Sequence, residues 1–175
     1  MQRKIIFIGP MGAGKSSLGK RLALHLKWAF CDTDQELVNS TGVDIPTIFR
    51  REGEQGFRQR EQEILRTVLG RPGDAIVACG GGIVLAPENR RLICAQYLVV
   101  FLDVSVAKQI ERVGNDSNRP LMQAENLVER LSQLRDDRLA FYEGLADIRI
   151  ETDDDRFNVL FIDLVAKVEA WLRQN

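Results

Sequence analysis

The stretch FIGPMGAGKSSLGK, Phe7 to Lys20, places glycines at 9, 12 and 14 and a proline at 10 between an apolar run and a leucine repeat. Within it GPMGAGKS, residues 9–16, satisfies GxxxxGK[ST], with a strand pattern before and a helix pattern after. Glycines at such a turn let successive backbone N–H groups point inward around a phosphate chain. The helix that opens near Lys15 adds the positive end of its dipole. The pattern therefore predicts an anion cradle, a P-loop, with Gly12, Ala13, Gly14, Lys15, Ser16 and Ser17 as its nucleotide contacts. Lys15 is placed to reach the β and γ phosphates of ATP, and the Ser16 hydroxyl to ligate Mg²⁺.

Working outward, short apolar runs at 5–8, 29–31, 75–79, 97–102 and 148–150 read as strands. Helical patterns separate them. Leu18, Leu22 and Leu26 mark one apolar face, Phe57, Ile64, Leu65 and Val68 a second, Leu127, Leu131 and Leu134 a third, and Phe157, Leu160, Phe161, Leu164 and Val168 a last. This βα alternation predicts an α/β fold, a five-stranded parallel sheet with helices on both faces. At 175 residues and 45% hydrophobic the chain suits a single domain, 1–175. In such folds ligands gather at the carboxyl ends of the strands. The glycines at 9–14, the acidic pair Asp32 and Asp34, and Gly80, Gly81 and Gly82 each follow a strand directly.

Composition narrows the partners. A formal net charge of -1 and a pI of about 5.9 provide no global field toward nucleic acid or an anionic membrane. No apolar run approaches the ~18 residues of a membrane span. The three cysteines, Cys31, Cys79 and Cys94, are widely spaced without a CxxC, as expected of reduced thiols in a cytoplasmic protein. Neither an NKxD nor a DxxG motif is present, so the P-loop does not read as that of a GTPase switch.

Charges stand where a core is expected. Glu61 lies between Phe57 and Ile64 at core spacing, with Arg58 one turn before it, and Arg138 continues the stripe of Leu127, Leu131 and Leu134 toward Tyr142. Such charges either brace the fold as ion pairs or face a polar ligand. In Asp32-Thr33-Asp34, alternation along an extended chain points both carboxylates one way: one toward Mg²⁺, the other toward a substrate hydroxyl. The competing reading makes Asp34 a helix N-cap. The triple glycine is best explained by close backbone approach to a ligand. Finally, GNDSNRPL, residues 114–121, reads as a flap between helices that presents Arg119.

Taken together, GPMGAGKS at 9–16, DTD at 32–34, GEQGFRQRE at 53–61, GGG at 80–82, RPL at 119–121 and RLAFY at 138–142 resemble shikimate kinase, in the right order over nearly the whole chain. The resemblance implies a P-loop kinase of the nucleoside-monophosphate-kinase-like fold. Its substrate-binding region spans about 33–61 and its mobile lid about 113–125. The implied activity is transfer of the γ-phosphoryl of ATP to the 3-hydroxyl of shikimate in the chorismate pathway of aromatic amino acid biosynthesis. By position it implies Lys15, Asp34 and Arg119 as catalytic. Asp34, Arg58, Glu61, Gly80, Gly81, Gly82 and Arg138 fall in the shikimate site, and Arg112 and Asp155 beside adenine. Asp32 joins Ser16 near magnesium. A cytoplasmic monomer that binds neither nucleic acid nor membrane is expected. Cys79 stands where the family commonly has threonine. A gluconate-type kinase, a nucleoside kinase and a silent ATP-binding module are the alternatives.

Overall fold

The apolar run before the glycines forms β1 (Lys4–Ile8), all of it buried. A strand buried on both faces belongs at the centre of a parallel sheet. The computed structural model describes residues 3–94, 97–113 and 126–174. In it β1 lies between β3 (Ala75–Ala78) and β4 (Leu98–Asp103), with β2 (Ala29–Asp32) and β5 (Ile148–Glu151) at the edges, every pairing parallel. The five expected strands are all present, each with bounds within one residue of the apolar run that suggested it.

Period-two alternation divides β1 between two cores. Ile5 and Phe7 face α1 (Lys15–Leu26) and α7 (Phe157–Gln174) through Leu18, Leu22, Leu164 and Val168. Ile6 and Ile8 face the other side, where Leu65 and Val68 of α3 (Ile45–Gly70), Ile93 of α4 (Pro87–Cys94) and Tyr142 of α6 (Leu127–Leu145) pack. Lys4 is tolerated at a buried strand position because its Nζ donates to the carbonyls of Arg71 at 2.8 Å and Gly73 at 2.6 Å, capping the end of α3. α2 (Thr33–Thr41) and the first part of α3 form a smaller apolar unit around Leu37, Ile48 and Phe57. α3 is broken at Gly53, with φ 68 and ψ -173, so the segment that carries Ile48 and Phe49 turns away from the helix that carries Arg58 and Glu61.

Two devices place the later elements. Asp103, at the carboxyl end of β4, is 5% exposed and holds Arg135 Nη1 of α6 and Arg149 Nη2 of β5, each at 2.6 Å. Burial alone pushes such a carboxyl up; here the two guanidiniums outweigh it and hold Asp103 below its ordinary value. The pair ties α6 to the sheet one turn before Arg138. On α5 (Val106–Val113), Gln109 Nε2 donates to the Met11 carbonyl at 2.8 Å and Arg112 Nη1 to that of Gly12 at 3.1 Å.

Gly9 marks the chain's turn from β1 into the loop. Its φ is 138, and a Cβ there would lie 2.2 Å from the Leu102 carbonyl oxygen. Gly42 also has positive φ, 67, but among the described residues a Cβ there meets nothing within 4 Å. Gly42→Ala should therefore cost only the left-handed penalty of roughly 1–2 kcal/mol. Gly9→Ala adds a backbone collision at the sheet's centre and should exceed that penalty by about 2 kcal/mol or more. Chemical denaturation of the two variants checks the order; equal losses would contradict it.

Candidate active site

The loop from Gly9 to Gly14 leaves the carboxyl end of β1 and enters α1 without a side-chain cap. Gly14 stands at the N-cap with φ 88 and no side-chain hydrogen bond. The residue that precedes α1 thus supplies no cap to its first N–H groups, which is the condition for an anion site. Lys15 folds over the loop, its Nζ donating to the carbonyls of Gly9 at 2.8 Å and Pro10 at 2.7 Å. Ser16 Oγ donates to Asp32 Oδ2 at 2.5 Å. Hydroxyl and carboxylate oxygens at the foot of a phosphate cradle are the hard donors that a small divalent cation takes, so Ser16 and Asp32 fit Mg²⁺.

Asp32 is the N-cap of α2: its Oδ1 accepts from the backbone N–H of Asp34 at 3.1 Å and of Gln35 at 3.3 Å. Both ideas about the acidic pair are corrected here. The chain turns helical at Thr33, so Asp32 and Asp34 are not alternate residues of a strand. Asp34, in the first helical turn, is not the cap. Both carboxylates nevertheless line one cavity, of about 1080 Å³. Thr33, fully covered between them, accepts the Gly80 N–H at 3.2 Å, tying α2 to the end of β3.

Across that cavity, Arg58 Nη1 donates to Glu61 Oε2 at 2.7 Å, and Arg58 Nη2 reaches Glu54 Oε1 at 3.4 Å. Glu61 is 2% exposed; burial pushes its carboxyl above the ordinary range, and Arg58 opposes that push. Arg138, from α6, makes no ion pair among the described residues. The Nε atoms of Arg58 and Arg138 are both buried without a hydrogen-bond partner among the described residues. An unsatisfied buried donor costs about 1–3 kcal/mol, more when charged, so the two arginines together favour an anion at this end. Arg58 thus braces the fold through Glu61 and also borders the cavity.

The triple glycine is crowded by these same groups. A Cβ on Gly80 would lie 2.7 Å from Asp34 Oδ1 and 3.0 Å from Glu61 Oε1, and one on Gly82 would lie 2.3 Å from Arg58 Nη1. The close approach inferred for a ligand is, at Gly80 and Gly82, an approach of the protein's own charged side chains. Gly81 is roomier, with its nearest neighbour, the Gly9 carbonyl oxygen, at 3.5 Å.

Gly12 to Ser17, Asp32, Asp34, Arg58, Glu61, the three glycines, Arg112, Arg138 and Asp155 all border this cavity. Arg119 and the expected lid beyond Val113, up to residue 125, lie outside the described residues. At the nucleotide end Arg112 Nη2 donates to the Thr152 carbonyl at 2.5 Å, and Asp155 pairs with Lys108 at 2.5 Å. Sequence reasoning missed Gln109, whose bond to Met11 spans 98 positions and has no local signature. It also missed the apolar wall of the acceptor end, where Phe49 stacks on Phe57 with centroids 4.5 Å apart.

A model of the shikimate kinase family matches residues 11–169. The chain belongs to this family. A shikimate kinase of Legionella pneumophila (strain Corby) is 46% identical over 151 residues, 86% of each chain. A solved structure described as shikimate kinase from Acinetobacter baumannii in complex with shikimate superimposes with a TM-score of 0.91 at 36% identity, covering 97% of this chain and 94% of that one. A gluconokinase from Sinorhizobium meliloti 1021 gives a TM-score of 0.59 at 16% identity over 99% of this chain and 97% of that one, a likeness of fold alone. Family membership makes this P-loop kinase a phosphotransferase with ATP as phosphoryl donor. No helix among the described residues is long and apolar enough to cross a membrane.

Proposed function

We propose that the protein transfers the γ-phosphoryl group of ATP to the 3-hydroxyl of shikimate, giving shikimate 3-phosphate for the synthesis of chorismate and the aromatic amino acids. The observation that carries this reading is the pair of arginines with unpartnered buried Nε atoms at the end of a cavity whose other end is a P-loop. A carboxylate between Arg58 and Arg138 satisfies what the protein leaves unpaired, and guanidinium geometry suits it bidentately.

The chemistry asked of the chain is positioning and charge neutralisation. Asp34 hydrogen-bonds the acceptor hydroxyl and takes its proton as the new P–O bond forms and the bond from the γ-phosphorus to the bridging oxygen breaks. Lys15 exchanges its contacts with the Gly9 and Pro10 carbonyls for phosphate oxygens, and the N–H groups at the start of α1 receive the rest. To Arg119 falls the neutralisation of charge on the transferred group. Ser16 and Asp32 would hold Mg²⁺, which when bound would neutralise phosphate charge. Glu61 keeps Arg58 oriented. Gly81 admits the acceptor against the backbone, while Gly80 and Gly82 leave room for the Asp34, Glu61 and Arg58 side chains that meet it. With the edge of Arg112 committed to carbonyls, its flat face is left for adenine, Asp155 standing beside it.

ADP release from ATP and Mg²⁺, measured with shikimate, gluconate and nucleosides in turn, tests this. Release that depends on shikimate is expected. Release that depends on gluconate or a nucleoside instead, or no acceptor dependence at all, would overturn the reading. A cytoplasmic monomer is the proposed setting.

A further inference from the structure

The hydroxyl of Tyr142 plays no part in the scheme above, yet it sits where two of its groups meet. Tyr142 lies on α6 one turn after Arg138, is 2% exposed, and stacks on Phe101 of β4 with ring centroids 5.1 Å apart and planes 21° from parallel. Its hydroxyl donates to the Gly81 carbonyl at 2.5 Å, and Arg138 Nη1 stands beside the same residue, 3.7 Å from the position of a Cβ on Gly81. Burial pushes the phenol up to about 12, with Arg138 opposing, so it stays a neutral donor across the physiological range.

A phenol carries one hydrogen. Once that hydrogen is committed to Gly81, the oxygen can only accept, and the cation that acts on it most strongly is Arg138, one turn earlier on α6. The far side of the glycine run is anchored independently: Asn89 Nδ2 donates to the Ile83 carbonyl at 3.1 Å, and Arg90 Nη1 to those of Val84 at 2.7 Å and Leu85 at 2.9 Å. Tyr142 supplies the matching tie on the near side, and it joins that side to an arginine.

The geometry points to Tyr142 as a positioning residue for the acceptor: it couples Arg138 to the Gly81 carbonyl, so that the carboxylate clamp and the glycine segment keep a constant spacing. This rests on the proposed acceptor reading, because it gives Tyr142 an effect on shikimate and none on the nucleotide. The ring alone provides the packing on Phe101. The hydroxyl alone provides the tie.

Tyr142→Phe separates the two. It keeps the stack and is expected to raise the KM for shikimate about tenfold, the worth of one hydrogen bond to a charged group. Turnover and the KM for ATP should stay within about twofold. In an Arg138→Ala background the same change should alter kcat/KM for shikimate by less than about twofold, because a residue that acts through Arg138 has nothing left to position. An unchanged KM for shikimate, an equal rise for ATP, or a full tenfold loss in the Arg138→Ala background would each overturn the inference. Should the hydroxyl also matter to stability, the ratio of the two KM values still decides, since a loosened fold affects both substrates alike. The wild-type assay is run alongside. A wild type without shikimate-dependent ADP release removes the acceptor reading and this inference with it, whereas a normal wild type beside an unaltered Tyr142→Phe removes this inference alone.

Discussion

Asp34→Asn is expected to lower turnover by roughly 10²- to 10⁴-fold, the range for loss of an acid–base group, while the variant folds and binds ATP normally. The two side chains have nearly the same shape, so the space beside Gly80, where Asp34 Oδ1 stands 2.7 Å from the position of a Cβ, is disturbed little. Helix α2 keeps its start, because Asp32 and not Asp34 caps it. What disappears is the capacity to accept a proton. An amide can still hold the acceptor hydroxyl through its oxygen, so the KM for shikimate should move far less than turnover. Steady-state kinetics with a melting curve measures both, and near-normal turnover would remove Asp34 from the proton-accepting role.

Arg138→Ala is expected to cost about 2–5 kcal/mol of shikimate affinity, the penalty for truncating one partner of a desolvated charge pair, or about thirtyfold to several thousandfold in the dissociation constant. Arg138 is the cleaner of the two arginines to test. It makes no ion pair among the described residues, so its removal strands no acid. Arg58 differs: without it Glu61, 2% exposed, loses the cation that pairs with it and most opposes its burial. Arg58→Ala should therefore lose stability as well as affinity, and Arg58→Ala with Glu61→Gln should recover part of the stability and none of the affinity. Calorimetric titration with shikimate, with and without nucleotide, reads the affinities. Unchanged binding in Arg138→Ala would make that residue a structural brace.

The strands and the P-loop were legible because their signals are local. β1, β3 and β4 are continuous apolar runs, since both of their faces are covered, and GxxxxGKS encodes its own turn, cradle and helix start within eight residues. The misplaced charges were legible as well. Glu61 and Arg138 break apolar stripes, and the structure brings both to one cavity. The acidic pair was read through the wrong geometry, because a strand that ends at Asp32 and a helix that begins at Thr33 differ by one residue, a boundary that periodicity alone does not resolve.

By itself, then, the amino-acid order determined the layered α/β architecture, the phosphate cradle, and the identity of the charged groups, because hydrophobic period and glycine placement act over a few neighbouring residues. Tertiary structure alone decided which acid caps α2 and which groups crowd the triple glycine. It also decided that Gln109 grips the loop from 98 positions away and that Tyr142 reaches Gly81 across 61. Those contacts join elements through the sheet order β2-β3-β1-β4-β5, and no short window of sequence records which distant side chain a parallel crossover will bring alongside.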